Sequence, residues 1–170
     1  MARPDGTTSG RNAIFSCVRF EIRPTRYGAP AAQRLIAELM EDLKVRYGSG
    51  DGTPVNAIEF DPPDGGFFIA YADGEPVGCG AWRSWAGSED VAEVKRVFVA
   101  GGRRGQGMAR QIMAAIEEDA RAQGRKRIIL ETGTGQPEAI ALYEALGYER
   151  IEPFGYYKNE PGVRCFGRDL

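Results

Sequence analysis

Glycines and arginines cluster in the second half of the chain, between a Val-rich segment and an amphipathic segment. The stretch reads GGRRGQG over residues 101–107 and continues as MARQIM. Glycine lets the main chain approach a ligand closely, and the first turn of a following helix offers unpaired N–H groups at the positive end of its dipole. Arg103, Arg104 and Arg110 add positive charge. This combination predicts a phosphate site, with a glycine-rich turn carrying solvated arginines as the alternative.

Two common nucleotide loops do not fit this stretch. A Walker loop needs Gly, four residues, Gly-Lys and then Ser or Thr. Gly102 and Gly107 have that spacing, but Met108 and Ala109 follow, so the lysine and the magnesium-binding hydroxyl are missing. A dinucleotide fingerprint needs a third glycine where this chain has Arg110. The phosphate-bearing ligand therefore belongs to another class.

The 170 residues include no histidine. This excludes a Ser-His-Asp triad, a Cys-His pair and any His-ligated zinc or haem. Proton transfer must use a carboxylate with a shifted pKa, a tyrosine, a cysteine, a lysine or water. Cys17, Cys79 and Cys165 lie far apart without a CxxC pair, so we expect reduced, buried thiols and no metal site.

Hydrophobic patterns predict the elements that position the loop. Strands are expected over residues 17–22, 67–71, 76–83, 91–99, 127–132, 148–152 and 163–170, and helices over 31–47, 105–123 and 137–146. The unit over residues 91–132 is a strand, a helix and a strand, which implies a parallel pair. We expect one domain over residues 13–170, built on a mixed sheet, and a flexible N-terminal tail over residues 1–12.

Several of these features together resemble the GNAT superfamily of acyl-CoA-dependent N-acetyltransferases. Arg104-x-x-Gly107-x-Ala109 is similar to the family's (Q/R)-x-x-G-x-(G/A) pyrophosphate loop. Residues 136–148, QPEAIALYEALGY, resemble its N-x-x-A-I-x-L-Y-x-x-x-G-F stretch, and the order of elements agrees. The resemblance covers about residues 17–170. It implies an α/β (α+β) single-domain fold with a mostly antiparallel, twisted sheet of about seven strands, flanked by helices and splayed at one parallel pair to form the cofactor cleft.

The resemblance implies acetyl-CoA as the cosubstrate and no metal. It assigns the pantetheine arm to main-chain groups at the end of the fourth strand and the pyrophosphate to the glycine loop. Gln136 replaces the family's usual asparagine, and Tyr148 replaces a phenylalanine, so we expect a solvated hydroxyl there. The implied cofactor-binding residues are Val97, Phe98, Val99, Arg104, Gly105, Gln106, Gly107, Met108, Ala109, Arg110, Gln136 and Tyr143.

Glu93 and Tyr143 are the catalytic residues that the resemblance implies. Glu93 stands eleven residues before Arg104, where histone-acetylating members carry a general base, and partial burial can raise a glutamate pKa toward neutrality. An ion pair with Lys95 or Arg96, a base acting through water and an already neutral amine are the alternatives. Tyr143 matches the tyrosine that protonates the departing thiolate, with packing in the core as its alternative.

Two loops, residues 46–66 and 153–162, are implied to form the acceptor pocket. Aromatic walls suit the alkyl part of a small amine, and a carboxylate suits its charge. The aromatic and basic candidates for the lining are Trp82, Arg83, Trp85, Phe154, Tyr156, Tyr157 and Lys158, and the acidic candidates are Glu59, Asp61 and Asp64.

Composition limits the partners. With 22 basic and 24 acidic residues the formal charge is −2, so nucleic acid and membranes are not expected as partners. The chain lacks a signal-type apolar region and a run of transmembrane length, which favours a cytoplasmic location. The expected reaction is direct transfer of acetyl from acetyl-CoA to a primary amine of a small molecule in a ternary complex, and a homodimer is an open option. The alternatives are a non-catalytic acyl-CoA sensor and an acetyltransferase of protein lysines or N-termini.

Overall fold

Strands and helices follow one another in the predicted order in the computed structural model, which describes residues 20–170. The strands are β1 (Phe20–Thr25), β2 (Gly65–Ala72), β3 (Glu75–Trp85), β4 (Ser88–Val99), β5 (Arg127–Gly133), β6 (Glu149–Arg150) and β7 (Val163–Asp169), and the helices are α1 (Pro30–Tyr47), α2 (Met108–Ala122) and α3 (Pro137–Ala145). Two short 3-10 helices, Ala57–Phe60 and Gly101–Arg103, lie in the connections. The predicted tail over residues 1–12 and the start of the first strand fall outside the described residues.

Element boundaries differ from the prediction by up to three residues. The helix expected from residue 105 begins at Met108, because Gly105 and Gly107 take φ angles of 77° and 79°, which a right-handed helix does not allow. The strand expected over residues 148–152 is reduced to two paired residues, and Ile151 continues the contact with β7 through one hydrogen bond from its N–H to the Cys165 carbonyl.

The seven strands form one sheet in the order β1-β2-β3-β4-β5-β7-β6, and β4 with β5 is the parallel pair. Helix α1 packs on one face, where Leu35 and Leu39 join a core cluster with Ile69. Helices α2 and α3 pack on the other face, where Ile112 and Tyr143 share a second cluster. The two faces are called below the α1 face and the α2 face. The α/β fold with a mostly antiparallel sheet is therefore confirmed.

The sheet opens between β4 and β5. The two strands pair over only three residues of β4, from Val91 to Glu93, and diverge beyond them. Against β3, the register of β4 shifts by one residue between Lys95 and Phe98, and Arg96 at this point has a φ of 61°. The shift is a β-bulge, which re-aims the side chains of the strand. The splayed parallel pair that was expected is present, and the bulge lies at its opening.

Candidate active site

A cavity of about 560 Å³ occupies the opening between β4 and β5. Its walls also include the end of α1 with the loop after it, the start of α3 and the loop before β7. The polar or charged residues that line it are Tyr47, Ser49, Asp51, Lys95, Arg96, Glu131, Thr132, Thr134, Gln136, Tyr143, Tyr157 and Glu160. The size and the mixed lining are typical of a small-molecule site.

The glycine loop leads into the N-terminus of α2. Gly107 is the N-cap of this helix, and no side chain caps it, so the first N–H groups are open to a ligand. A Cβ at Gly105 or Gly107 would meet no atom within 4 Å, so the space beside the loop is empty, although their positive φ angles disfavour other residues. An anionic phosphate fits this arrangement of free donors at the positive end of a helix.

Arg104 holds the loop in place. Its Nε donates to the Val99 carbonyl over 2.9 Å, and its Nη2 pairs with Asp42 of α1 over 2.9 Å. Burial opposes the charge of Asp42, but hydrogen bonds from Arg104 and Arg46 lower its pKa below the usual range. Arg104 therefore positions the loop against α1 and β4, a role that the sequence pattern alone did not show.

At the end of β4, which was predicted to bind pantetheine, the side chains and the main chain have different surroundings. Val97 lines the cavity, and the strand edge toward β5 is unpaired after Glu93. The side chains of Phe98 and Val99 are buried in the clusters of the α1 and α2 faces respectively. Side-chain packing and an open main-chain edge thus coexist on this strand, as a main-chain role requires.

Tyr143 lies on the cavity wall with 6% of its surface exposed. Its ring packs against Tyr148 and Phe166, with centroids 5.9 and 6.0 Å apart. Burial raises the pKa of Tyr143 above that of a free phenol, so the hydroxyl stays protonated at neutral pH. Nearby, the Gln136 amide oxygen accepts from the hydroxyls of Thr132 and Tyr47 over 3.3 and 3.4 Å.

Glu93 belongs to a chain of ion pairs on the α1 face, which is buried except at its Glu59 end. It is 1% exposed, its Oε2 lies 2.8 Å from Arg83 Nε, and its Oε1 lies 2.9 Å from Lys95 Nζ. Arg83 also pairs with Glu59 over 2.8 Å, and Lys95 with Glu131 over 2.7 Å. The chain alternates in sign and holds three carboxylates against two cations. The ion pair between Glu93 and Lys95 that was considered as an alternative is present, and the chain reaches the cavity at Lys95 and Glu131.

Arg96 and Asp51 form a second buried pair beside this chain. Arg96 Nη1 donates to Asp51 Oδ2. Asp51 Oδ1 accepts from the main-chain N–H of Thr53 over 2.8 Å and from the Tyr157 hydroxyl over 3.1 Å. Burial works against the charge of Asp51, yet the hydrogen bond from the Thr53 main-chain N–H and the charge of Arg96 lower its pKa. The loop after α1 and the loop before β7 are thereby tied together over the cavity.

Three buried polar atoms around this site lack a hydrogen-bond partner. Within residues 20–170 the buried unpartnered side-chain atoms are Thr53 Oγ1, Arg96 Nε, Arg125 Nε and Glu131 Oε2. Arg96 and Glu131 line the cavity, and Thr53 neighbours Asp51. Each such atom costs about 1–3 kcal/mol unless something bonds to it, so this concentration marks where a ligand or water completes the site.

Several predicted acceptor residues lie elsewhere. Tyr157 lines the cavity as expected, but Trp82 faces the α2 side, where its Nε1 donates to Asp119 over 2.7 Å. Because side chains alternate along a strand, Trp82 and Arg83 of β3 cannot share a face. Trp85 packs on Phe154 with centroids 5.1 Å apart. The remaining candidates off the cavity wall are Glu59, Asp61, Asp64, Tyr156 and Lys158.

The acidic residues that line the cavity are not the ones predicted from the sequence. Asp51, Glu131 and Glu160 line the cavity. A signal for Glu131 was present, because it is an acid within the apolar strand pattern RIILET. Asp51 lies in a loop of Gly, Ser and Asp without any pattern that distinguishes it.

Two further expectations have clear outcomes. Tyr148 is buried rather than solvated, and its hydroxyl donates to Glu117 over 2.8 Å. Cys79 and Cys165 are buried free thiols, as expected, and burial raises the pKa of Cys79 to about 12. Cys17 lies outside the described residues. In the part of the chain that the structure describes, no group of three His, Cys, Asp or Glu residues could hold a metal, and no helix has the length and apolarity to cross a membrane.

Comparisons with known proteins agree with the geometry. Residues 32–148 match the Acetyltransferase (GNAT) family. A protein of Azospirillum brasilense named IAA acetyltransferase is 36% identical over 131 residues, which are 77% of this chain and 85% of that protein. An uncharacterized N-acetyltransferase of Escherichia coli is 37% identical over 94 residues, which are 55% of this chain and 56% of that protein.

Solved structures share the fold. A crystal structure from Klebsiella pneumoniae, provisionally assigned as an acyl-CoA N-acyltransferase, is 28% identical, covers 89% of this chain and 97% of its own, and has a TM-score of 0.76. A GNAT acetyltransferase from Elizabethkingia anophelis with acetyl-CoA bound covers 89% of this chain and 98% of its own, at 18% identity and a TM-score of 0.63. With the family match, the splayed strands and the glycine loop in agreement, the chain belongs to the GNAT family of N-acetyltransferases.

Proposed function

We propose that the protein transfers an acetyl group from acetyl-CoA to the primary amine of a small molecule, with both substrates bound together. The observation that carries this is the composition of one cavity wall, where a protonated tyrosine, Tyr143, and a buried carboxylate, Glu131, flank the opening between β4 and β5. The acetyl-CoA in a structural neighbour and the acetyltransferase names of the relatives support the choice of donor.

The residues for holding acetyl-CoA follow from the open donors. Free N–H groups from Gly105 to Arg110 at the start of α2 suit the pyrophosphate, and the unpaired edge of Val97 to Val99 suits the amide groups of the pantetheine arm. Gln136 at the start of α3 presents an amide on the cavity wall. The bound donor would supply an activated acetyl thioester, and the protein would supply position, since holding two reactants together accounts for much of such a rate.

The proton of the amine must leave during the transfer. Glu131 Oε2 is a buried carboxylate oxygen at the cavity without a partner among the described residues, so we assign it the role of accepting this proton directly or through water. Both oxygens of Glu93 are engaged by Arg83 and Lys95. Glu93 therefore acts in this proposal through Lys95, whose ammonium it orients toward Glu131, or through a water.

The sulfur of the leaving group must gain a proton. The Tyr143 hydroxyl makes no hydrogen bond to the residues of the described range, and burial keeps its pKa high, so it retains a proton for donation. An acceptor that binds as an ammonium loses one proton before its nitrogen attacks and a second once the N–C bond has formed. The new N–C bond replaces the C–S bond, one proton reaches the sulfur and the other is released to solvent, so the reaction balances without a covalent enzyme intermediate.

The test is a CoA-release assay with a panel of small primary amines, run beside a thermal-shift titration with acetyl-CoA. We expect acetyl-CoA to raise the melting temperature and at least one amine to be acetylated. Binding of acetyl-CoA without turnover of any amine would contradict the proposal and favour a sensor. Activity on peptides alone would move the acceptor to protein lysines or N-termini.

A further inference from the structure

We infer that the acceptor is an amino acid, an amine with a neighbouring carboxylate, and that Arg96 binds this carboxylate. The inference rests on the proposed function and names the acceptor class of the same site. It concerns the buried charges on the cavity wall, which an acceptor with an amine alone would leave incompletely bonded.

The free edge of Arg96 is the first observation. The side chain is 4% exposed and lines the cavity. Its hydrogen bond to a described residue runs from Nη1 to Asp51, and its buried Nε has no partner. This leaves the edge formed by Nε and Nη2, and an arginine edge of two parallel N–H donors matches a carboxylate.

The rigidity of Arg96 is the second observation. Asp51, which holds it, is itself fixed by Thr53 and Tyr157, and Arg96 lies at the β-bulge of β4. A guanidinium fixed before binding loses little conformational freedom when a ligand arrives. The edge is therefore a preformed binding group rather than a flexible surface arginine.

A complementary group lies on the same cavity wall. Glu131 Oε2 is buried without a partner, and the Glu131 side chain is 8% exposed. The chain of Glu59, Arg83, Glu93, Lys95 and Glu131 carries one negative charge in excess, which suits an ammonium group. An unpartnered donor edge and an unpartnered carboxylate oxygen in one cavity match the two charged groups of an amino acid. A simple amine would supply no acceptor for Arg96 Nε.

The experiment compares acceptors that differ only in the carboxylate. Each amino acid of a panel is assayed beside its methyl ester and its decarboxylated amine. The preference is the kcat/KM of the free acid divided by the kcat/KM of the ester or of the amine. Because a hydrogen-bonded ion pair is lost, we expect the wild-type protein to prefer the free acid by about 10- to 100-fold. Arg96→Met should abolish the preference, and Arg96→Lys should keep part of it.

A matched control separates recognition from stability. Arg125 is also a buried arginine with an unpartnered Nε, but it bonds to Ser84 and Glu89 away from the cavity, so Arg125→Met should leave the preference unchanged. The preference is a ratio within one protein, so a lower folded fraction cancels. If Arg96→Met does not fold, the ratios of the wild-type protein and of Arg96→Lys test the inference. A wild-type preference that is reduced in Arg96→Lys supports it, and an equal preference in both contradicts it.

The outcomes distinguish this inference from the proposed function. Equal use of acids, esters and amines by the wild-type protein, or a preference retained in Arg96→Met, would overturn the role of Arg96 while leaving the acetyltransferase intact. Binding of acetyl-CoA with no turnover of any amine would contradict the proposed function, and this inference with it.

Discussion

The two ends of the cleft are built in different ways. On the cofactor side, a contiguous stretch from Val97 to Arg110 supplies main-chain donors, and its glycines bring no side chain into the space beside the loop. On the acceptor side, charged side chains from separate segments meet, with Asp51 and Arg96 being 45 residues apart in sequence. In the proposed assignment, main-chain groups bind acetyl-CoA and side chains bind the acceptor.

The difference extends to energetics. Main-chain donors at a helix N-terminus remain open without burying charge. Buried charges on the acceptor side each need a partner, because removing one member of such a pair leaves a costly isolated charge. Glu93, Lys95 and Arg96 each have one. Substitutions on the acceptor side should therefore combine effects on rate with effects on stability. Those in the glycine loop should act on binding, with a cost in backbone strain only where φ is positive, as at Gly105 and Gly107.

The largest effect is expected on the cofactor side, for Gly107→Val. Gly107 has a φ of 79°, which a β-branched residue adopts only with strain, and the added side chain would occupy the space proposed for the pyrophosphate. Acetyl-CoA should bind more than about 100-fold more weakly, a loss of ~2.7 kcal/mol, as measured by its effect on the melting temperature.

The control for this loss is Gly102→Ala in the same loop. Gly102 has no atom within 4 Å of an added Cβ and no positive φ, so acetyl-CoA should still raise the melting temperature of this variant. If it also stabilised Gly107→Val, the assignment of the loop would be wrong.

The next largest effects are expected on the acceptor side, where Glu131→Gln and Glu93→Gln test which carboxylate accepts the proton. We expect Glu131→Gln to lower kcat by about 100-fold, within the usual range for a general base, and Glu93→Gln by about 10-fold, with acetyl-CoA affinity unchanged in both. Glu117→Gln, which alters a carboxylate paired with Arg168 outside the cavity, is the control. An unchanged kcat in Glu93→Gln would remove Glu93 from the mechanism.

A smaller effect is expected where the two sides meet, for Tyr143→Phe. The change removes one hydroxyl without a partner among the described residues, so kcat should fall by about 10- to 100-fold with the free energy of unfolding almost constant. Tyr148→Phe is the matched control, because its buried hydroxyl bonds to Glu117 over 2.8 Å. It should lose ~1 kcal/mol of stability and keep its rate. The reverse pattern would exclude Tyr143 as the acid.

The smallest effect concerns Cys79, which is buried in the core cluster of the α1 face. Its Sγ lies 3.3 Å from the Arg96 carbonyl oxygen. Burial raises its pKa to about 12, so between about pH 9 and 12 the unfolded chain loses the thiol proton while the folded chain keeps it. This group's contribution to stability is therefore full below pH 9 and falls above it, by up to ~1.4 kcal/mol per pH unit.

Cys79→Ala should remove that slope. Urea unfolding at pH 7, 8 and 10 measures it, and the stability difference from wild type should be constant between pH 7 and 8 and should shift in favour of the variant by ~1 kcal/mol at pH 10. A difference that stays constant up to pH 10 would contradict the raised pKa.

Local patterns carried most of the sequence prediction. The order of elements, the parallel pair and the glycine loop depend on residues close in sequence, and they were predicted. The start of α2 was placed too early, because the helical spacing of apolar residues was followed through Gly105 and Gly107 despite their preference for positive φ.

The acceptor side depended on contacts that sequence spacing does not encode. The alternation of β3 could have shown that Trp82 and Arg83 lie on opposite faces. The partner of Arg96 could not be found in this way, because Asp51 lies in an irregular loop whose position is set by Tyr157, 106 residues along the chain. Side-chain networks across a fold are assembled by tertiary packing, which one sequence read alone does not specify.

The extra residue at the bulge of β4 changes the face of the sheet to which the following side chains point. Glu93 and Lys95 lie on the α1 face, and so does Phe98, which strict alternation would place on the opposite face. Two consecutive basic residues, Lys95 and Arg96, can therefore reach one cavity, while Val97 and Val99 pack toward the α2 face. Deleting this one residue would turn the end of the strand over and exchange its core-facing and cavity-facing side chains. Exchanging the residues at 95 and 96 would instead change how the two cations are placed at the cavity and leave the end of the strand, which we propose binds pantetheine, in its present orientation.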